Sequence, residues 1–150
     1  MIGFAGVEIR RRLPAAIDEV FRWWTEADRM AEWMSPAGTV QASVDLRLGG
    51  AFRIVMRSAD TSLEHVGEYL EIEPPKRLVF TWVSPFTGDE PSIVTLELEP
   101  SGDTHTDLRL VHSRLPEAVA ESHRGGWETM VERLATALAA DPISQGRPEP

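Results

Sequence analysis

The stretch SIVTLELEPSGDTHTDLRLVHSRLPEAVAESHRGGWETMVERLATALAA, residues 92–140, holds both structural periods of this chain and the change between them. Val94, Leu96 and Leu98 alternate with polar neighbours. After the turn signal Pro100-Ser101-Gly102-Asp103 the alternation resumes through Thr106, Leu108, Leu110 and His112. A period of two is that of a strand with one buried face. Past Pro116 the spacing changes, and Trp127, Met130, Val131, Leu134 and Leu138 form one face of a helix. This closing element is expected from about Pro116 to Ala140, with Gly125-Gly126 interrupting it early and the main helix starting near Gly126.

Upstream, the period of two continues. Val40, Ala42 and Val44 alternate with Gln41 and Ser43, and a tight turn at Gly49-Gly50 leads into Phe52, Ile54 and Met56. A longer strand from about Ser62 to Glu73 ends at Pro74-Pro75, with Gly67 read as a bulge or bend. Leu78, Phe80 and Trp82 share a face of the next strand, and the loop 84–91 separates it from the stretch quoted above. Residues 4–13, with Val7, Ile9 and Leu13 apolar, read as the first strand. Pro14 suits a first helical position, and Ile17, Val20, Phe21 and Trp24 follow at helical spacing. Thr25-Glu26-Ala27-Asp28 has the form of a capping box opening a second short helix with Met30, Trp33 and Met34. Ser35-Pro36-Ala37-Gly38 stops it.

The predicted order is one strand, two short helices, six consecutive strands and one long helix. Short turns make sequential strands antiparallel neighbours. Seven strands at about 4.8 Å spacing span about 30 Å, whereas one helix with its side chains is about 10–12 Å wide. The sheet must therefore curl around the helix. The fold class is α+β: a seven-stranded curved antiparallel sheet wrapped around a long C-terminal helix, as one domain over 1–140 with a disordered tail over 141–150. The mismatch of widths leaves space, and rigid Trp33, Trp82 and Trp127 beside adaptable Met56 and Met130 suit the walls of an irregular apolar cavity.

Composition narrows the function. In 150 residues the formal charge is −9, from 24 acidic and 15 basic side chains, a surface that repels phosphate backbones and anionic lipid. No nucleic-acid partner and no membrane insertion is expected. The chain has no cysteine, which removes disulfides and thiolate metal sites. The N-terminus lacks the order of a signal peptide, and no apolar run approaches the roughly 20 residues of a membrane span. A cytoplasmic location is expected.

Specific residues also carry a resemblance. Val20-Phe21 with Trp24, then Trp33 and Pro36, Gly49-Gly50-Ala51-Phe52, and Gly67-Glu68-Tyr69 are its first part. Glu73-Pro74-Pro75-Lys76-Arg77-Leu78-Val79-Phe80-Thr81-Trp82, Val94-Thr95-Leu96, Thr106-Asp107-Leu108, His112, and Gly126-Trp127 with Leu134 complete it. In this order they resemble the SRPBCC superfamily, also called START-like or birch-pollen-allergen-like. The branch they resemble is named for the C-terminal domain of the activator of heat-shock protein 90 ATPase. The resemblance covers roughly residues 5–140. It implies the helix-grip fold and a deep cavity for lipids, polyketides, hormones or other hydrophobic molecules, and in a few relatives cyclase or hydrolase chemistry. The separate N-terminal domain of the eukaryotic co-chaperone is not found in these residues, so a chaperone partner is not expected.

The leading reading is non-catalytic binding of a small hydrophobic molecule, with a homodimer left open. The expected lining is Trp33, Phe52, Met56, Trp82, Leu110, His112, Trp127 and Met130, with Glu68 as a polar anchor. The alternatives are a cyclase or hydrolase using His112 or Glu68 as acid or base, and a co-chaperone-like regulator acting in a stress response. His112 reads more readily as a core or rim histidine with a protein partner than as a functional group. Its direction, like that of Glu68, depends on the strand's phase. His65, His105 and His123 lack the two-ligand spacing of a zinc helix or finger, so no metal is expected. No serine lies in a G-x-S-x-G elbow, and Gly49-Gly50 lacks the lysine of a phosphate loop, so no cofactor is expected.

Overall fold

The computed structural model describes residues 4–35, 38–87 and 90–141, of Phe4 the backbone only. Strand β1 (Phe4–Leu13) is followed by α1 (Ile17–Thr25) and α2 (Ala27–Met30). Strands β2 (Thr39–Val44), β3 (Ala51–Ser58), β4 (Thr61–Glu73), β5 (Arg77–Trp82), β6 (Ser92–Ser101) and β7 (His105–Pro116) come next, and α3 (Glu117–Ala140) closes the chain. The strands form one antiparallel sheet in the order β1-β7-β6-β5-β4-β3-β2. Each consecutive hairpin adds a neighbour, and β1 joins the far side of β7, pairing Ile9 with Leu110 and Leu13 with Thr106. Leu78, Leu96 and Leu110, on three adjacent strands, are all buried against the helix side, with Leu134 and Leu138 of α3 in the same core. This is the α+β helix-grip architecture.

Four local expectations need correction. Pro14 does not open α1, which begins at Ile17 after an Ala16 cap with no side-chain bond. Nor is there a capping box. Thr25 is the last residue of α1, and its hydroxyl donates back to the Phe21 carbonyl at 2.9 Å, leaving Glu26 to cap α2. Gly125-Gly126 does not interrupt α3. Each glycine costs a helix about 1 kcal/mol relative to alanine, less than the roughly 1.5–3 kcal/mol from burying each of Trp127, Met130, Val131 and Leu134.

Gly67 is the fourth, and its effect is on packing rather than register. A methyl group there would collide with the Thr81 carbonyl oxygen and the Phe52 ring. The Phe52 ring thus lies against bare backbone. The ladder to β5 opens beside it, between the Val66–Val83 bridge and the Tyr69–Phe80 pair, and Thr81 Oγ1 accepts the Glu68 N–H at 2.9 Å. The register shift falls further on, between Tyr69 and Glu71. Of the tail expected over 141–150, all but Asp141 lies outside the described residues, as do Pro36 and Ala37 of the stop signal. Among the described residues no helix is long and apolar enough to cross a membrane.

Candidate functional site

Helix α3 does not fill the grip along its whole length. Its C-terminal half is sealed by Leu134 and Leu138, both fully buried. Facing its N-terminal half, a cavity of about 400 Å³ opens against β3, β4 and the end of β5. Met56, Leu63, His65 and Trp82 form the sheet wall, and Ser122, His123, Gly126, Trp127 and Met130 form the helix wall. Arg57, Ser58 and Thr61 of the β3–β4 hairpin, Ser35 after α2, and Phe86 after β5 complete the lining. Phe86 is an exposed large apolar side chain, 52% accessible, held in a tight turn where its N–H donates to Ser84 Oγ at 3.2 Å. No aspartate or glutamate is among these lining residues.

Four of the nine residues expected from the sequence meet at this cavity: Met56, Trp82, Trp127 and Met130. The others lie elsewhere for identifiable reasons. Trp33 is buried in the core, donating its indole N–H to the Trp23 carbonyl at 3.0 Å and meeting Trp24 edge-on. Phe52 is occupied by Gly67 and by the Tyr69 and Phe80 rings, 5.5 and 5.2 Å away. Leu110 is fully buried among the strand leucines. Glu68 is exposed, because the alternation that points His65, Gly67 and Tyr69 inward carries unbroken past Gly67 and turns Glu68 to water.

His112 is fully buried behind the cavity wall. The Trp127 indole nitrogen, which can only donate, donates to His112 Nδ1 at 2.9 Å. The neutral ring then carries its proton on Nε2, which donates to Ser92 Oγ at 2.7 Å. Ser92 passes the chain on, its hydroxyl donating to the Trp82 carbonyl at 2.7 Å. Burial pushes the His112 pKa down to about 3, with the neighbouring His123 ring contributing in the same direction. A further proton on Nδ1 would face the indole N–H. His112 therefore has no lone pair with which to act as a base, and the Glu68–His112 acid–base pair of the enzyme reading does not assemble.

Two histidines that the sequence reading set aside as scattered do line the cavity. His65 is buried with its ring 4.9 Å from that of Trp82. Burial lowers its pKa to about 4, opposed by the nearby Leu63 and Ile54 carbonyls. His123 donates from Nδ1 to the Val119 carbonyl at 2.8 Å. The signal for His65 was its shared phase with Gly67 and Tyr69. For His123 it was a place four residues before Trp127, on the same face once α3 is continuous. Two buried polar atoms of cavity residues have no hydrogen-bond partner: Trp82 Nε1 and His65 Nδ1. Such groups cost about 1–3 kcal/mol each when left unsatisfied. Among the described residues no group of three or more His, Cys, Asp or Glu side chains is arranged to hold a metal ion.

A family model described as Activator of Hsp90 ATPase homolog 1-like protein matches residues 14–139. The chain belongs to this family. It is an SRPBCC-type family, in agreement with the helix-grip geometry. Among solved structures, protein CV1439 from Chromobacterium violaceum is similar, with 26% identity, a TM-score of 0.80 and coverage of 91% of this chain and 98% of its own. CalU16 from Micromonospora echinospora is 28% identical with a TM-score of 0.69, over 98% of this chain and 93% of its own. PFC0360w, an HSP90 activator from Plasmodium falciparum, shares the fold with 24% identity and a TM-score of 0.74, over 89% of this chain and 96% of its own. No curated protein matches the chain.

Proposed function

We propose that this member of the family is a non-catalytic binding protein for a small hydrophobic molecule, acting in the cytoplasm. The observation that carries the reading is the cavity of about 400 Å³ between α3 and β3–β5. It lies within the size range of small-molecule sites, and its walls are mostly apolar with a few polar groups, the usual balance of such a site. Met56, Leu63, Trp82, Trp127 and Met130 supply the apolar contact, worth about 25 cal/mol per Å² buried. The paired nitrogens of His112 and the exposure of Glu68 favour binding over the acid–base chemistry considered for those residues.

Trp82 and Trp127 stand in the cavity wall, so the protein's own fluorescence reports on occupancy. Titration with a panel of lipid-like and aromatic probes is expected to give saturable changes for at least one class. No saturable response across the panel would sink the reading. A chaperone partner has support only from the family's description, and co-purification with a heat-shock protein 90 ATPase from the native cell is its test.

A further inference from the structure

Residues of α3 that do not line the cavity border a second hollow. Between α3 and the α1–α2 segment, two openings of about 660 and 580 Å³ share Glu32, Ala137 and Ala140 and so run together as one groove. Thr129, Thr136, Ala137 and Ala140 give its α3 side a mostly apolar surface of small side chains. The rim is acidic. Glu26, Asp28, Glu32, Glu128, Glu132 and Asp141 bring six carboxylates, against only Arg29 and Arg133. Both guanidiniums are engaged within the protein, Arg29 with Glu26 at 3.1 Å and Asp141 at 3.3 Å, and Arg133 with the Ser35 carbonyl. Glu132 is paired with Arg11 at 2.6 Å. Among the described residues no cation pairs with Asp28, Glu32 or Glu128, which are all exposed.

Two local choices work against the helix that carries them. Glu128 and Glu132 stand four residues apart, a like-charge spacing that destabilises a helix. The last turn of α3 holds no basic residue, so nothing in it offsets the negative pole of the helix dipole. Charges placed against local stability mark a surface kept for another purpose. We infer that this groove, which is distinct from the cavity and does not depend on its ligand, receives a basic amphipathic helix of a partner protein. The partner's apolar stripe lies on the small side chains of α3, and its lysines or arginines meet Asp28, Glu32 and Glu128. Carboxylates on both walls of an apolar trough match a helix with cations on both sides of an apolar stripe. From Glu128 to Ala140 α3 advances about 18 Å, the length of a helical segment of about 12 residues. The formal charge of −9 attracts such a partner at long range.

The test uses the full chain and fluorescein-labelled synthetic peptides of about 14 residues. One is a leucine–lysine amphipathic helix, one a scrambled peptide of the same composition, and one a leucine–glutamate helix. Anisotropy titration is expected to show saturable binding of the basic helix, at least about tenfold weaker binding of the scrambled peptide, and none of the acidic helix. Binding of the basic helix should weaken as salt rises beyond about 0.1 M. The double variant Glu32→Gln, Glu128→Gln removes two exposed, unpaired charges. It should weaken binding at least about tenfold while leaving the urea midpoint unchanged or higher. Glu99→Gln with Asp103→Asn, on the β6–β7 hairpin, makes the same change in net charge and should leave the affinity within about twofold. Thr136→Trp, at an exposed position, fills the groove without altering its charge and should also weaken binding. Equal losses from the two double variants, or equal affinity for the scrambled peptide, would leave only net-charge attraction and overturn the groove as a docking site. Calcium binding that is lost in Glu32→Gln, Glu128→Gln, in a protein that ignores the basic helix, would make the groove a simple cation site and overturn the partner. No binding of the basic helix at low salt overturns the inference outright.

Discussion

Trp127 donates its indole N–H to His112 Nδ1 at 2.9 Å, and this one bond fixes the tautomer of a fully buried histidine. With Nδ1 accepting and Nε2 donating to Ser92, the imidazole is a fixed link between α3, β7 and β6.

The first prediction concerns this link directly. Long-range ¹H–¹⁵N correlation spectra at pH 7 are expected to show His112 protonated on Nε2 only. Substituting His112→Leu strands the Trp127 N–H in the core and is expected to cost about 2–4 kcal/mol, read as a lower urea midpoint. A Nδ1–H tautomer, or a variant as stable as the parent, would remove the structural role assigned here.

Stability should also depend on pH, with a sign that follows from the two depressed histidines. An unfolded imidazole titrates near 6.5, whereas folded His65 and His112 titrate at about 4 and about 3. Between these values the unfolded chain holds the extra protons. The stabilisation is complete above about pH 6.5 and is lost as pH falls toward 4, by up to ~1.4 kcal/mol per pH unit for each histidine. Urea midpoints measured from pH 7 to pH 5 avoid most carboxylate titration. A flat profile over that interval contradicts the buried, neutral assignment.

Two glycines are expected to respond oppositely to alanine. At Gly67 the new methyl group meets the Thr81 carbonyl and the Phe52 ring, so Gly67→Ala should destabilise by more than about 2 kcal/mol. At Gly125, inside α3, nothing lies within 4 Å of the position, and Gly125→Ala should stabilise by about 0.5–1 kcal/mol. Thermal denaturation of both variants checks the pair; the same sign of shift in both would contradict the account.

These two positions also mark where the sequence was and was not readable. Alternation such as Leu108-Leu110-His112 made the strands, their order and the covering helix legible, because each strand buries one face only. Local signals failed where tertiary burial overrode them: Gly125-Gly126 has the form of a break, yet Trp127 and Met130 hold the helix together through it. In the site, the error was one of phase. A bulge at Gly67 would have changed the direction of Glu68, which the sequence left open; the register is kept across Gly67, so Glu68 faces water and His65 faces inward. The general mismatch of widths was readable as spare space. Its position at one end of α3 was not, because that depends on where Leu134 and Leu138 close the other end.

The most direct test of a ligand-binding cavity is to fill it. Met56 and Met130 approach it from β3 and α3, and the double variant Met56→Trp, Met130→Trp adds bulk from both walls. Fluorescence titration with 1-anilinonaphthalene-8-sulfonate is the measurement, with folding checked by the urea midpoint. The account predicts saturable one-to-one binding to the parent protein and at least about tenfold weaker binding to the folded variant, a difference of about 1.4 kcal/mol. A parent protein without saturable binding, or a filled variant that binds as tightly as the parent, would contradict it.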